Sequence, residues 1–145
     1  LEFIRQASLK LATKLSLNEL STDLLVYMDS LITCESIFLF IRDIDEINFT
    51  YKTSHPLVDS SVKAKLKKVF FNSYNAHDDP IIGHWLNNEI VNVTPKTTNQ
   101  SQVAPLIDIL NVRTLTSIPL MVNEQLYGIQ FSKLNEMGKC IFKSN

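Results

Sequence analysis

The first 31 residues carry apolar side chains at helical spacing. A helix over residues 1–15 places four of them on one face: Ile4, Ala7, Leu11 and Leu15. A second helix follows over residues 16–31, and either Ser16, with Glu19 at capping-box spacing, or Asn18 caps it. Its apolar stripe consists of Leu20, Leu24, Tyr27, Met28 and Leu31. The pattern predicts two helices in succession.

The apolar spacing becomes typical of strands after Ser36. Ser36–Arg42 contains an unbroken apolar run, which predicts a strand that is covered on both faces. In Ile47–Ser54 apolar and polar residues alternate, which predicts a strand with one solvated face at an edge of the sheet. A polar turn, Asp43-Ile44-Asp45, joins the two strands into a hairpin.

The middle of the chain is less regular. Ser61–Phe71 is compatible with an amphipathic helix whose polar faces carry Lys63, Lys65, Lys67 and Lys68. Those lysines could attract an anionic ligand or a membrane surface, but with a net charge of −1 the preferred interpretation is a solvated helix face. Gly83–Asn88 is predicted as a short helix and Ile90–Val93 as a short strand.

The last third of the chain contains one helix and a hairpin. Ser101 is the predicted N-cap of the helix, and Pro105 is tolerated only in its first turn. Thr114–Val122 and Leu126–Lys133 then form two strands around Asn123-Glu124, with Gly128 at a position where a side chain would obstruct packing. Helices combined with two hairpins predict an α+β fold around one mostly antiparallel sheet.

Composition and charge narrow the function classes. The 145 residues are 45% hydrophobic and 20% charged, which fits one folded domain over residues 1–145. The net charge of −1 gives no bulk electrostatic reason to bind nucleic acid. The longest apolar run, Ile37–Ile41, is too short to span a membrane. Cys34 and Cys140 stand far apart, which favours free thiols and a cytoplasmic location.

The sequence contains no established catalytic or metal-binding motif. The sequence has no Gly-x-Ser-x-Gly, no His-Glu-x-x-His and too few glycines for a phosphate-binding loop. His77-Asp78-Asp79 together with His84 lacks an established metal-ligand spacing, and these residues are interpreted as loop surface. We therefore expect no catalytic site, no metal site and no enzyme activity.

Four segments resemble the GAF domain, the small-molecule-sensing module of bacterial signalling proteins. They are residues 15–20, residues 34–43, residues 110–120 with Arg113 and Pro119, and residues 123–129 with Gly128. The family usually has a Gly-x-Pro turn before the third strand, where this chain has Asn88-Glu89. The related PAS fold is the alternative by architecture, but two leading helices fit it poorly.

The resemblance implies a profilin-like antiparallel sheet in the order 2-1-5-4-3. The N-terminal helices would cover one face, and a ligand pocket with short helices would lie on the other. Bilin-binding members of the family use a cysteine near the approach to the fourth strand. The matching stretch here, Ile107–Thr116, contains none, so the resemblance implies no covalent bilin attachment. The pocket residues we expect are Tyr74, His77, His84 and Trp85. The alternative is that Tyr74 and Trp85 only fill the core.

The implied function is a regulatory, small-molecule-sensing domain of a bacterial signal-transduction protein, such as a histidine kinase, a diguanylate cyclase or a transcriptional regulator. The alternative is a GAF-like module that binds no ligand and serves dimerisation or structural coupling. The chain is expected to be one piece of a larger protein with an attached output domain, and to stop where a C-terminal helix would begin. Phe3 and Leu9 lie off the first helical stripe, so they predict a homodimer through the N-terminal helices. Neither the ligand nor the output domain follows from the sequence.

Overall fold

The structure, a computed structural model, describes residues 32–33, 36–43, 48–73, 78–133 and 141–142. Several sequence predictions fall outside these residues. They are the two N-terminal helices, the dimer residues Phe3 and Leu9, the pocket residues Tyr74 and His77, and both cysteines.

An antiparallel sheet of six strands forms the centre of the described structure. Its strands are β2 (Ser36–Arg42), β3 (Asn48–His55), β4 (Phe70–Asn72), β5 (Val91–Val93), β6 (Leu115–Val122) and β7 (Gln125–Lys133). Their spatial order is β4-β3-β2-β7-β6-β5. Two further short strands, β1 (Ile32–Thr33) and β8 (Ile141–Phe142), pair with each other in a separate antiparallel sheet.

Three short helices connect strands of the six-stranded sheet. They are α1 (Ser60–Leu66), α2 (Ile82–Leu86) and α3 (Ala104–Leu110). Each contributes side chains to the buried cluster on one face of the sheet, including Leu66, Trp85 and Leu106. The helices and the antiparallel sheet together agree with the predicted α+β class.

The central strand β2 is buried on both faces, as its unbroken apolar run predicted. Phe38 and Phe40 belong to the cluster that contains the three helices. Their neighbours Ile37 and Leu39 point to the opposite face and are 2% and 0% exposed. Gly128 of β7 pairs with Ile41, and a Cβ there would lie 2.8 Å from the carbonyl oxygen of Phe40. The glycine is therefore required by the close approach of β2 and β7.

The prediction of a helix over Ser61–Phe71 is wrong at its C-terminal end. Helix α1 ends at Leu66, and Phe70–Asn72 forms β4, which pairs with Asn48–Thr50 of β3. Val69 and Phe71 are buried, so the apolar spacing continues through a change from helix to strand. Consequently β3 is not an edge strand. The other five strands of the sheet follow one another as β3-β2-β7-β6-β5, and β4 adds a sixth strand beside β3.

The β6–β7 hairpin closes through a two-residue turn. Asn123 and Glu124 both have positive φ, of 51° and 65°, which is the geometry that matches the twist of a tight hairpin. Pro119 pairs with Ile129 across the hairpin, while β5 pairs only with the first three residues of β6. The missing N–H of Pro119 therefore removes no hydrogen bond between β6 and β5.

Candidate functional site

Helix α2 places Trp85 inside the protein. The side chain is 0% exposed, and its Nε1–H donates to Ser117 Oγ at 2.8 Å. The Ser117 hydroxyl in turn donates to the carbonyl oxygen of Val91 at 2.7 Å. This chain of hydrogen bonds joins α2 to β6 and β5, and it satisfies the indole N–H that burial would otherwise leave without a partner.

Aromatic rings surround the indole of Trp85. Phe71 and Phe131 meet it edge to face, with ring centroids 5.8 and 5.7 Å away. Phe40 lies behind them, 4.9 Å from Phe71 and 5.5 Å from Phe131. We call the space that the indole occupies, bounded by Phe71, Phe131 and Ser117, the Trp85 slot. In this structure the Trp85 side chain fills it.

His84 has a different environment from Trp85, although the two are adjacent on α2. Its side chain is 55% exposed, and its Nδ1 lies 3.2 Å from Glu89 Oε2. An exposed pair of this kind contributes little to stability. The structure therefore does not bring the side chains of His84 and Trp85 together in one pocket, and Tyr74 and His77 lie outside the described residues.

Asp79 is a buried residue that the sequence analysis misassigned. Reading it as loop surface is wrong, because it is 7% exposed, whereas its neighbour Asp78 is exposed. Its Oδ1 accepts from Ile81 N, Ile82 N and Ser101 Oγ at 2.9–3.0 Å, and its Oδ2 accepts from Gln102 N at 2.8 Å. The carboxylate thus holds the start of α2 against the segment that leads into α3. An aspartate directly before Pro80 is a turn signal that could have indicated this role.

Ser101 belongs to the same hydrogen-bond network and is not the N-cap of α3. The N-cap is Val103, and Pro105 lies in the first turn, where proline was expected. The Ser101 hydroxyl accepts from Val103 N at 3.2 Å and donates to Asp79. The hydroxyl oxygen thus still accepts a main-chain N–H, as a capping serine does, but from Val103, the residue before α3 begins, while its proton goes to Asp79.

An open cleft of about 540 Å³ lies at the C-terminal end of α2. It is lined by the three residues that follow Trp85 and by the β6–β7 turn: Leu86, Asn87, Asn88, Met121, Val122, Asn123 and Glu124. Asn88, in the turn where the resemblance implies a Gly-x-Pro sequence, has a φ of 60°. Asparagine tolerates this left-handed conformation better than other side chains. Its buried Oδ1 has no hydrogen-bond partner among the described residues.

The described residues contain no cluster of side chains that could hold a metal. No three His, Cys, Asp or Glu side chains within them converge on a possible metal position. No helix in the same part of the chain is long and apolar enough to cross a membrane. The arrangement is instead a packed aromatic layer with two internal polar links, at Ser117 and Asp79.

Sequence comparison finds neither a matching family model nor a matching curated protein. Solved structures do share the fold. The GAF domain/HD domain protein from Geobacter sulfurreducens matches with a TM-score of 0.61 and 14% identity, over 86% of this chain and 83% of that chain. The GAF domain of a two-component sensor histidine kinase from Bacillus halodurans matches with a TM-score of 0.59 and 10% identity, over 83% and 78%.

A third match comes from a different kind of protein. The GAF domain of a phosphoenolpyruvate-protein phosphotransferase from Coxiella burnetii has a TM-score of 0.54 and 15% identity, over 92% of this chain and 77% of that chain. All three structures are GAF domains or contain one, and all three align with most of this chain. The chain therefore has the GAF-domain fold.

Proposed function

We propose that this chain is a regulatory domain of a bacterial signal-transduction protein. The observation that supports this is the fold itself, which it shares with GAF domains of a sensor histidine kinase and of a phosphotransferase. In this proposal a change in the packing of the domain biases the activity of an attached output domain. We propose no reaction for the chain itself.

The first form of this proposal is small-molecule sensing. Ser117 supports it, because its hydroxyl is fully buried and contacts a side chain of a different element, Trp85 of α2. A few polar groups within an apolar layer are typical of ligand sites. The ligand would bind between the sheet and α2, with Tyr74, His77 and Trp85 as residues proposed to contact it. His84, which is 55% exposed in this structure, would have to turn toward the ligand to join them.

The second form is a packed module that binds no ligand and serves dimerisation or structural coupling. The burial of Trp85 favours it, since the indole fills the space between the sheet and α2 together with Phe71. Phe70, next to Phe71 in the sequence, is 57% exposed and does not join this layer. In this form the aromatic layer is simply the core.

Both forms include the same proposed arrangement of the N-terminal helices. They would cover the second face of the sheet, whose side chains Ile37, Leu39 and Ile118 are apolar and at most 2% exposed. The first helix would also form the homodimer through Phe3 and Leu9. Light scattering on the wild type and on the Phe3→Glu, Leu9→Glu variant tests this interface. A wild-type monomer would contradict it, and loss of the dimer in the variant alone would support it.

Thermal unfolding separates the two forms. A molecule that binds only the folded domain raises the melting temperature by mass action. The set to test comprises cyclic nucleotides, amino acids, 2-oxo acids and tetrapyrroles. His84→Ala and Tyr74→Phe should weaken a genuine hit, whereas Lys96→Ala, an exposed change in the loop after β5, should not. If neither these molecules nor a neutral aromatic such as indole raises the melting temperature, ligand sensing is contradicted and the packed module is supported.

A further inference from the structure

We propose that Trp85 is an internal substitute for the ligand of this domain. The ligand would be a neutral, planar aromatic molecule of about the size of indole that carries one N–H donor. It would enter the Trp85 slot while α2 moves away and takes the Trp85 side chain with it. This inference rests on the proposed sensory function, and it names the ligand class and the conformational change.

The requirement for a donor follows from the hydrogen bonds of Ser117. Its single hydroxyl proton is used in the bond to the carbonyl oxygen of Val91. The Oγ can then only accept a hydrogen bond from whatever occupies the slot, as it does now from Trp85 Nε1–H. A ligand with an acceptor at this position would face an oxygen lone pair, and a ligand with neither group would leave the Oγ acceptor unused.

The residues around the Trp85 slot determine the shape and the charge of the ligand. Phe71 and Phe131 present ring edges and faces at 5.7–5.8 Å, a spacing suited to another aromatic ring. Asp79 is the one buried charged side chain among the described residues, and four donors already occupy its oxygens. A charged ligand would therefore lack a partner of opposite charge in the slot, which favours a neutral molecule.

Helix α2 has the properties of a segment that can move. It has only five residues. Asp79 holds its start by accepting from Ile81 N and Ile82 N, so a movement would turn the helix about that end and displace its C-terminal end. Helices this short depend on their packing for stability. Just after the C-terminal end of α2, Asn88 Oδ1 is buried and has no hydrogen-bond partner among the described residues. This loss of a hydrogen bond is energetically unfavourable. Movement of α2 would hydrate that oxygen.

The cleft beside α2 provides the way in. Its lining includes Leu86, Asn87 and Asn88, the residues directly after Trp85. Leu86 is 40% exposed, so it offers an apolar surface at the mouth of the cleft. An aromatic molecule held there would lie next to the end of α2 that is least well satisfied.

The test uses the fact that Trp85 is the only tryptophan of the chain. Protein labelled with 5-fluorotryptophan gives one fluorine NMR signal, which reports whether Trp85 is buried or solvated. Saturating indole should move the signal to a solvated position with a solvent isotope shift, and 1-methylindole, which lacks the N–H, should not. A signal that stays buried at saturating indole overturns the inference.

Variants test the donor rule independently. In Trp85→Ala the slot is empty, and indole should bind about tenfold more tightly than 1-methylindole. Adding Ser117→Ala should abolish that difference. Trp85→Leu replaces Trp85→Ala if the latter does not fold, and indole that binds neither variant overturns the inference. A screening hit that raises the melting temperature but leaves the fluorine signal buried overturns this inference alone, and the sensory function stands.

Discussion

The side-chain amide of Gln102 pairs with the main chain of Asn72 in both directions. Asn72 N donates to Gln102 Oε1 at 2.7 Å, and Gln102 Nε2 donates to the carbonyl oxygen of Asn72 at 3.0 Å. The amide thus makes the two hydrogen bonds that a neighbouring strand would offer to the end of β4. Because Gln102 N also donates to Asp79, one residue links β4 to the start of α2.

Replacing Gln102 by alanine should weaken this link. The change removes both hydrogen bonds to Asn72 but keeps the main-chain bond to Asp79. We expect the free energy of unfolding to fall by about 1–2 kcal/mol, since the partly buried N–H and C=O of Asn72 lose their partners. Urea denaturation measures this free energy of unfolding. Asn99→Ala, at an exposed position nearby in sequence, is the control, and an equal effect of both changes would argue against the link.

Asp79 should be more important for stability than its sequence neighbour. Asp79→Ala leaves three main-chain N–H groups and the Ser101 hydroxyl without their acceptor, so the free energy of unfolding should fall by at least about 2 kcal/mol. Asp79→Asn should have an intermediate effect, because it keeps one oxygen but turns an NH₂ group toward a donor. Asp78→Ala is exposed and should change stability by less than about 0.5 kcal/mol. Similar losses for Asp78→Ala and Asp79→Ala would show that the buried network does not form.

Two phenylalanines provide a matched pair for the core. Phe40 is 0% exposed and contacts the rings of Tyr51, Phe71 and Phe131. Phe40→Ala should cost about 3–5 kcal/mol. Phe70, on the edge strand, is 57% exposed, and Phe70→Ala should cost less than about 1 kcal/mol. The reverse order in chemical denaturation would contradict the burial of Phe40 and the exposure of Phe70.

The sequence predicted the parts of the fold that depend on neighbouring residues. Burial of β2 on both faces follows from its uninterrupted apolar run, and the close packing at Gly128 and the hairpin turn at Asn123-Glu124 follow from local residue types. The change from α1 to β4 was missed, because Val62, Leu66 and Val69 keep helical spacing. Pairing with β3, a contact that is distant in sequence, decides the conformation of Phe70–Asn72.

The candidate site was predicted less well than the fold. Trp85 was recognised as important, but its partner Ser117 lies 32 positions away in the sequence. The partners of Asp79 at Ser101 and Gln102 are similarly remote, by 22 and 23 positions. Such contacts depend on how segments that are distant in sequence meet over the sheet. The spacing of residues within one segment does not predict these contacts. His84 was grouped with Trp85 by proximity in sequence, although adjacent residues on a helix point in different directions.

The central claim is that Trp85 fills the layer between the sheet and α2 when no ligand is bound. Fluorescence of this one tryptophan, with acrylamide as a quencher, measures it directly. The structure predicts emission at shorter wavelength than free tryptophan and strong protection from acrylamide, because the indole is 0% exposed. Emission like that of free tryptophan, with unrestricted quenching in the folded protein, would contradict the account.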